Sequence, residues 1–159
     1  MARSTSSDVD MHSPRDPEFE ARVRASFARQ RLMHTLGARL TRVAAGECEI
    51  EMPFNADFTQ QHGFLHAGTL TSVVDSACGY AAFSLMAPGA AVMSVEFKAN
   101  LLAPAAGDAL IARARVVRSG RTLTIVSGDG YMRSGDEERH VFTMLATMIA
   151  VEGRDEIVD

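Results

Sequence analysis

Residues 60–83 read QQHGFLHAGTLTSVVDSACGYAAF, and one aspartate, Asp75, interrupts an otherwise apolar stretch. A carboxylate in such a setting can serve as a general base or as a nucleophile. The turn before it, HGFLHAG, holds His66, Ala67 and Gly68. If a helix starts there, its first N–H groups lack partners within the helix. They then present a positive dipole end to an oxygen that gains negative charge. The two features together suit attack on a carbonyl group. The residues do not choose between base and nucleophile.

Helical spacing sets the aspartate apart. Leu70, Val73, Val74, Ala77, Cys78, Ala81, Ala82 and Leu85 form one apolar stripe at i, i+3, i+4, i+7 spacing. Asp75 falls on a second face with Ser72, Ser76, Gly79 and Phe83. The plain alternative is a solvated face. Such faces usually carry Lys, Arg or Glu, and this one has none. Its small, weakly polar residues suit close approach of another chain. A carboxylate there would lose water, and its basicity would rise.

The surrounding elements must position this segment. Phe19, Val23, Phe27 and either Arg31 or Leu32 predict one helix from about Pro17, stopped by Gly37. Period-two residues on either side of AAG predict a hairpin over residues 38–54. After the long helix come VMSVEFKANLLAP, DALIARARVVRS, RTLTIVSGDGYMRS and RHVFTMLATMIAVE, four strands read as an antiparallel meander. The predicted fold class is α+β, one long helix against about six antiparallel strands.

Composition narrows the classes further. The chain has 159 residues, 47% of them apolar, which suits one domain with a real core. Its formal charge of -4 argues against nucleic acid as a partner. No apolar run predicts a membrane span or a signal peptide. The two cysteines, Cys48 and Cys78, have no metal-site spacing. They read as reduced, which fits a cytoplasmic location. His34, His62 and His66 lack a companion carboxylate or thiol at ligand spacing, so no metal is expected. The expected organisation is a disordered tail over 1–16, one domain over 17–152 and a loose acidic tail over 153–159.

HAG followed by Asp75 resembles the His-Gly-Gly…Asp signature of hotdog-fold acyl-CoA thioesterases, most closely the phenylacetic-acid-degradation branch. MSVEFKANLLAPA resembles the strand after that family's central helix. The resemblance covers about Gly37 to Val151. It implies a hotdog fold, a central helix wrapped by a curved sheet, and an acyl-CoA substrate without a cofactor. It also implies Asp75 as the catalytic carboxylate, the Ala67 N–H as the carbonyl contact and His66 as support in the same turn. Ser94 matches a position that helps hold the attacking water. Ala67 replaces the first glycine, and Gln60 or Gln61 stands where several members have asparagine. Gly68 and Phe83 fall among the expected substrate contacts. Arg118, Gly120 and Arg121 of the RSGR turn, with Arg113 and Arg115 before them, are candidates for the phosphates. The alternatives are a hydratase or dehydratase of the same fold, or a non-catalytic acyl-CoA-binding protein.

Distance adds a constraint. Eight residues of helix separate Ala67 from Asp75, a rise of about 12 Å. If both act on one thioester, they come from different copies of the chain. The resemblance likewise implies paired sites in a homodimer or a dimer of dimers.

Overall fold

Residues 13–153 are described by the computed structural model of the chain. Its N-terminal helical region is two helices rather than one, α1 over Phe19–Phe27 and α2 over Arg31–Leu36. Between them the Arg29 and Gln30 N–H groups turn back to the Ser26 and Phe27 carbonyls, both at 3.0 Å. These tighter i→i+3 bonds close α1, and the extended backbone of Gln30 restarts the chain in a new direction. Gly37 does end α2, at a left-handed φ of 67° that carries no Cβ penalty.

Strands β1 (Arg39–Ala44) and β2 (Glu47–Pro53) form the expected hairpin, with Cys48, Ile50 and Met52 buried. A loop with a short 3₁₀ turn at Ala56–Phe58 leads into helix α3, Ala67–Phe83. Strands β3 (Ala91–Leu101), β4 (Ala109–Ser119), β5 (Leu123–Ser134) and β6 (Glu137–Val151) follow. All six strands join one antiparallel sheet in the order β1-β2-β4-β5-β6-β3. The meander reading therefore holds for β4, β5 and β6 alone. Helix α3 carries the chain away from β2, and β3 joins the far edge beside β6.

Helix α3 packs against β2 through β6. Its apolar stripe, from Leu70 to Ala82, is fully buried. This contact requires glycine on β5. A Cβ at Gly128 would lie 2.5 Å from Cys78 Sγ and 2.7 Å from Val74 Cγ1.

Helix α1 covers the C-terminal half of the second face. The Phe27 ring meets the Tyr80 ring edge-on at 5.7 Å. The Arg22 guanidinium lies 4.3 Å from the Phe83 ring centroid and donates to the Met86 and Ala87 carbonyls, each at 2.8 Å. It also donates to the Phe83 carbonyl at 3.3 Å, where a cation meets the negative dipole end of the helix. Asp16, the last residue of the expected tail, is buried and pairs with Arg22 at 3.0 Å. Most of both expected tails, residues 1–12 and 154–159, lies outside the described residues.

The glycine contact yields a stability test. Gly128→Ala should destabilise the protein by about 1–3 kcal/mol through overpacking, read from the midpoint of urea unfolding. An unchanged midpoint would show that α3 has room to lift off β5.

Candidate active site

Asp75 sits midway along α3, on the part of the second face that α1 leaves uncovered, and is half-buried. Its neighbour on the sheet is Ser94, whose hydroxyl donates to Asp75 Oδ1 at 2.8 Å. A β-bulge allows this. The pairing of β3 with β6 slips at Val95, between Ser94↔Met148 and Glu96↔Thr147. Met148, Ala146 and Met144 are buried beneath α3, so their partners Ser94, Phe97 and Ala99 share that face. Without the extra residue, Ser94 and Phe97 would face opposite ways.

No cation pairs with Asp75 among the described residues. Burial raises its pKa above the ordinary carboxylate range, and the Ser94 hydrogen bond partly offsets this. A folded pKa above the unfolded one means that stability falls as pH rises through that window.

Beside Asp75 and Ser94 lies a cavity of about 310 Å³, also lined by Ser26, Arg29, Gln30, Tyr80, Val92 and Met93. The sequence reading missed the α1–α2 residues in that list. Their signal was the lost helical phase after Phe27, where either Arg31 or Leu32 could continue the stripe. The buried positions of α2 are Met33 and Leu36.

The turn before α3 forms a second, separate groove. His66 is the N-cap, and its Nδ1 accepts from the Gly68 N–H at 2.9 Å. No acceptor meets the Ala67 N–H among the described residues. His66 and Ala67 line a groove of about 570 Å³ with Gln60, Gln61, Phe64, Leu70, Leu101 and Leu102. The Gln60 side-chain oxygen is taken by the His62 N–H, and Gln61 is exposed.

The structure thus joins Asp75 to Ser94, and His66 to Ala67, Gln60 and Gln61, but in two different depressions. Other expected residues lie elsewhere. Phe83 is fully buried under Arg22 and lines neither depression, because α1 covers its face. Gly120 and Arg121 sit beyond the C-terminal end of α3, beside Met86 and Ala87, and Arg118 is exposed. Arg113 is held by Glu49 at 2.8 Å and by Glu138 at 2.6 Å. Cys48 and Cys78 are buried and unbridged. The described residues hold no group of three or more His, Cys, Asp or Glu side chains placed for a metal. They include no helix long and apolar enough to cross a membrane.

Comparison with known proteins bears on this arrangement. The thioesterase superfamily profile matches residues 62–138, which span the turn, Asp75 and Ser94. A thioesterase family protein from Silicibacter pomeroyi is 52% identical, with 85% of this chain and 99% of that one covered and a TM-score of 0.83. The chain belongs to the thioesterase superfamily. Its fold is the hotdog fold, and its reaction class is thioester hydrolysis. The E. coli PaaI protein, from the phenylacetic acid degradation operon, shares that fold at 22% identity and a TM-score of 0.78, with 86% and 95% of the two chains covered. A Saccharolobus solfataricus protein provisionally named an esterase is 29% identical over 57% of this chain. That match spans 64% of the relative, just under two thirds of its length.

The Ser94 contact makes a pH prediction. Ser94→Ala removes a bond that favours ionised Asp75, so the acid limb of the kcat/KM profile for thioester hydrolysis should move to higher pH. A limb that stays in place, or moves down, would deny that Ser94 holds the ionised carboxylate.

Proposed function

We propose that the chain is an acyl-CoA thioesterase that uses Asp75 as general base or nucleophile, at sites shared between two copies in a homodimer. One observation carries this reading. A half-buried carboxylate with no cation partner among the described residues, bonded to a serine hydroxyl, borders a cavity on the central helix. Perturbed carboxylates in clefts mark functional sites more often than solvated faces do.

As a base, Asp75 takes a proton from water, and the water oxygen adds to the thioester carbonyl carbon. The carbonyl oxygen becomes an oxyanion held by the Ala67 N–H of the other copy. When the intermediate collapses, the C–S bond breaks and the proton goes to the departing thiolate. As a nucleophile, a carboxylate oxygen attacks instead and the C–S bond breaks to expel the thiolate; water then hydrolyses the mixed anhydride, and a proton from that water goes to the thiolate. Ser94 orients Asp75 or the water in either route. His66 holds the turn through Gly68. Exposed Gln61 is the better of the two glutamines to touch the water, because the Gln60 oxygen is engaged in its own loop.

An exposed edge of the sheet supports a seat for the second copy. Strand β3 is a sheet edge eleven residues long, with Met93, Val95, Phe97 and Leu101 all exposed. Long apolar edges invite pairing. A partner there would bring further groups toward Ser94 and Asp75. Two such dimers could pair again into a tetramer. The buried, unbridged cysteines fit a reducing compartment such as the cytoplasm.

Two outcomes are expected. In a panel of acyl-CoAs read with a thiol-reactive dye, Asp75→Asn should lower kcat by about 10²–10⁴-fold while the fold survives. Full activity in that variant would remove Asp75 from the chemistry. Arg118 and Arg121 remain the proposed phosphate contacts, so replacing both with alanine should raise KM more than it lowers kcat. An unchanged KM would reject them.

A further inference from the structure

Strand β3 pairs with β6 on one side and ends the sheet on the other. Edge strands often carry charge to discourage a second chain. This edge instead carries one charge of each sign, two residues apart. Glu96 and Lys98 are exposed and lie opposite Thr147 and Leu145, on the outer face of the sheet. Thr147 Oγ1 donates to Glu96 Oε1, and Lys98 Nζ donates to Asn100 Oδ1 at 2.6 Å. Neither forms an ion pair among the described residues. We propose that two copies join edge to edge through β3 in one register, with Phe97 on the two-fold axis, so that Glu96 of each copy faces Lys98 of the other. This rests on the shared-site homodimer read above and adds its register.

Charge chooses among the neighbouring registers. Directly opposite residues of an antiparallel pair share a face, so the axis of two identical strands passes through a residue rather than between two. An axis at Glu96 sets that carboxylate against its own copy, and an axis at Lys98 does the same for the ammonium. Like charges directly opposite destabilise a pair of strands, and unlike charges support it. Moving the axis by one residue slides the strands by two, about 7 Å. The two depressions select the same register independently. Val92, Met93 and Ser94 line the cavity beside Asp75, at one end of β3, and Leu101 and Leu102 line the groove beside Ala67, at the other. Phe97 stands midway between them. A two-fold axis there lays the 92–94 end of one copy beside the 101–102 end of the other, with the Val95 bulge shifting the match by one residue. The exposed Phe97 ring then meets its own copy at the axis. Asp75 of one copy and the Ala67 N–H of the other open into one continuous space.

Disulfide trapping reads the register. Glu96→Cys and Lys98→Cys are made singly and oxidised with diamide, each alone and as a mixture after subunit exchange. Cys48 and Cys78 are buried, so the wild type serves as the blank. Directly opposite Cβ atoms stand about 4.5–5.5 Å apart, close to disulfide reach, and diagonal ones about 7–8 Å. The mixture should therefore form a covalent dimer with one chain of each kind, identified by a mass tag, about tenfold faster than either variant alone. Faster trapping by Glu96→Cys alone or by Lys98→Cys alone puts the axis elsewhere and overturns the proposal, as does no trapping in any arm. Charge reversal gives a second readout. Lys98→Glu should raise the dimer dissociation constant by about tenfold, and adding Glu96→Lys to the same chain should restore it, because the Phe97 axis again sets unlike charges together. An unchanged constant in Lys98→Glu, or no restoration in the double variant, counts against the register. A wild type that stays monomeric at micromolar concentration refutes the homodimer reading itself. A dimer trapped in another register removes this proposal alone.

Discussion

The close approach of α3 to β5 governs the rest of the molecule. At Gly128 there is no space for even a methyl group between the strand and the helix residues Val74 and Cys78. The helix is therefore pressed onto the sheet with one rotation about its axis. The buried stripe on one side decides what the other side shows. At about 100° per residue, Asp75 must point away from the sheet core, toward the flank where β3 ends the sheet. The carboxylate takes its position from packing, with no dedicated scaffold of its own. A small residue on β5 thus helps to set where Asp75 points, although it lies on the other side of the helix.

Packing alone would leave Asp75 a partly dry carboxylate at a cost. Burial raises its pKa, and no ion pair among the described residues relieves it. The bulge at Val95 supplies a partial remedy by turning the Ser94 hydroxyl to Asp75 Oδ1. One neutral hydrogen bond favours the ionised form without neutralising it. A salt bridge would have lowered its basicity further. Arg29, the basic side chain that lines the same cavity, donates to the Ala25 carbonyl at 3.2 Å, and two other arginines are committed elsewhere. Arg22 closes the end of α3, and Arg113 is held by two glutamates on the outer face of the sheet.

Much of this was legible in the sequence, for physical reasons that differ by element. The α3 stripe and the β4 alternation, with Leu110, Ala112, Ala114 and Val116 buried, repeat one simple period over many residues. Asp75 stood out because it broke such a pattern. Ser94 was reached only by resemblance, since its orientation depends on a bulge that period-two reading does not see. The α1–α2 break left only a faint mark, the lost helical phase after Phe27, because apolar spacing does not show where hydrogen bonds change from i→i+4 to i→i+3. The position of β3 beside β6 and the burial of Phe83 under Arg22 are long-range contacts, which local periodicity does not encode. Arg113 read as a candidate phosphate ligand because its glutamate partners lie on other strands.

The central claim is that one site takes its carboxylate from one copy and its oxyanion donor from the other. Within one chain, Asp75 and the unbonded Ala67 N–H open into separate depressions, about 12 Å apart along the same helix. Mixing two inactive variants tests this directly. Asp75→Asn removes the carboxylate, and Ala67→Pro removes the N–H. In a mixed dimer with shared sites, one site carries both lesions and the other carries neither. After subunit exchange, activity should return to about a quarter of wild type, since half of randomly mixed dimers are heterodimers and each has one intact site. No recovery, with exchange confirmed by mass-tagged subunits, would contradict the shared site.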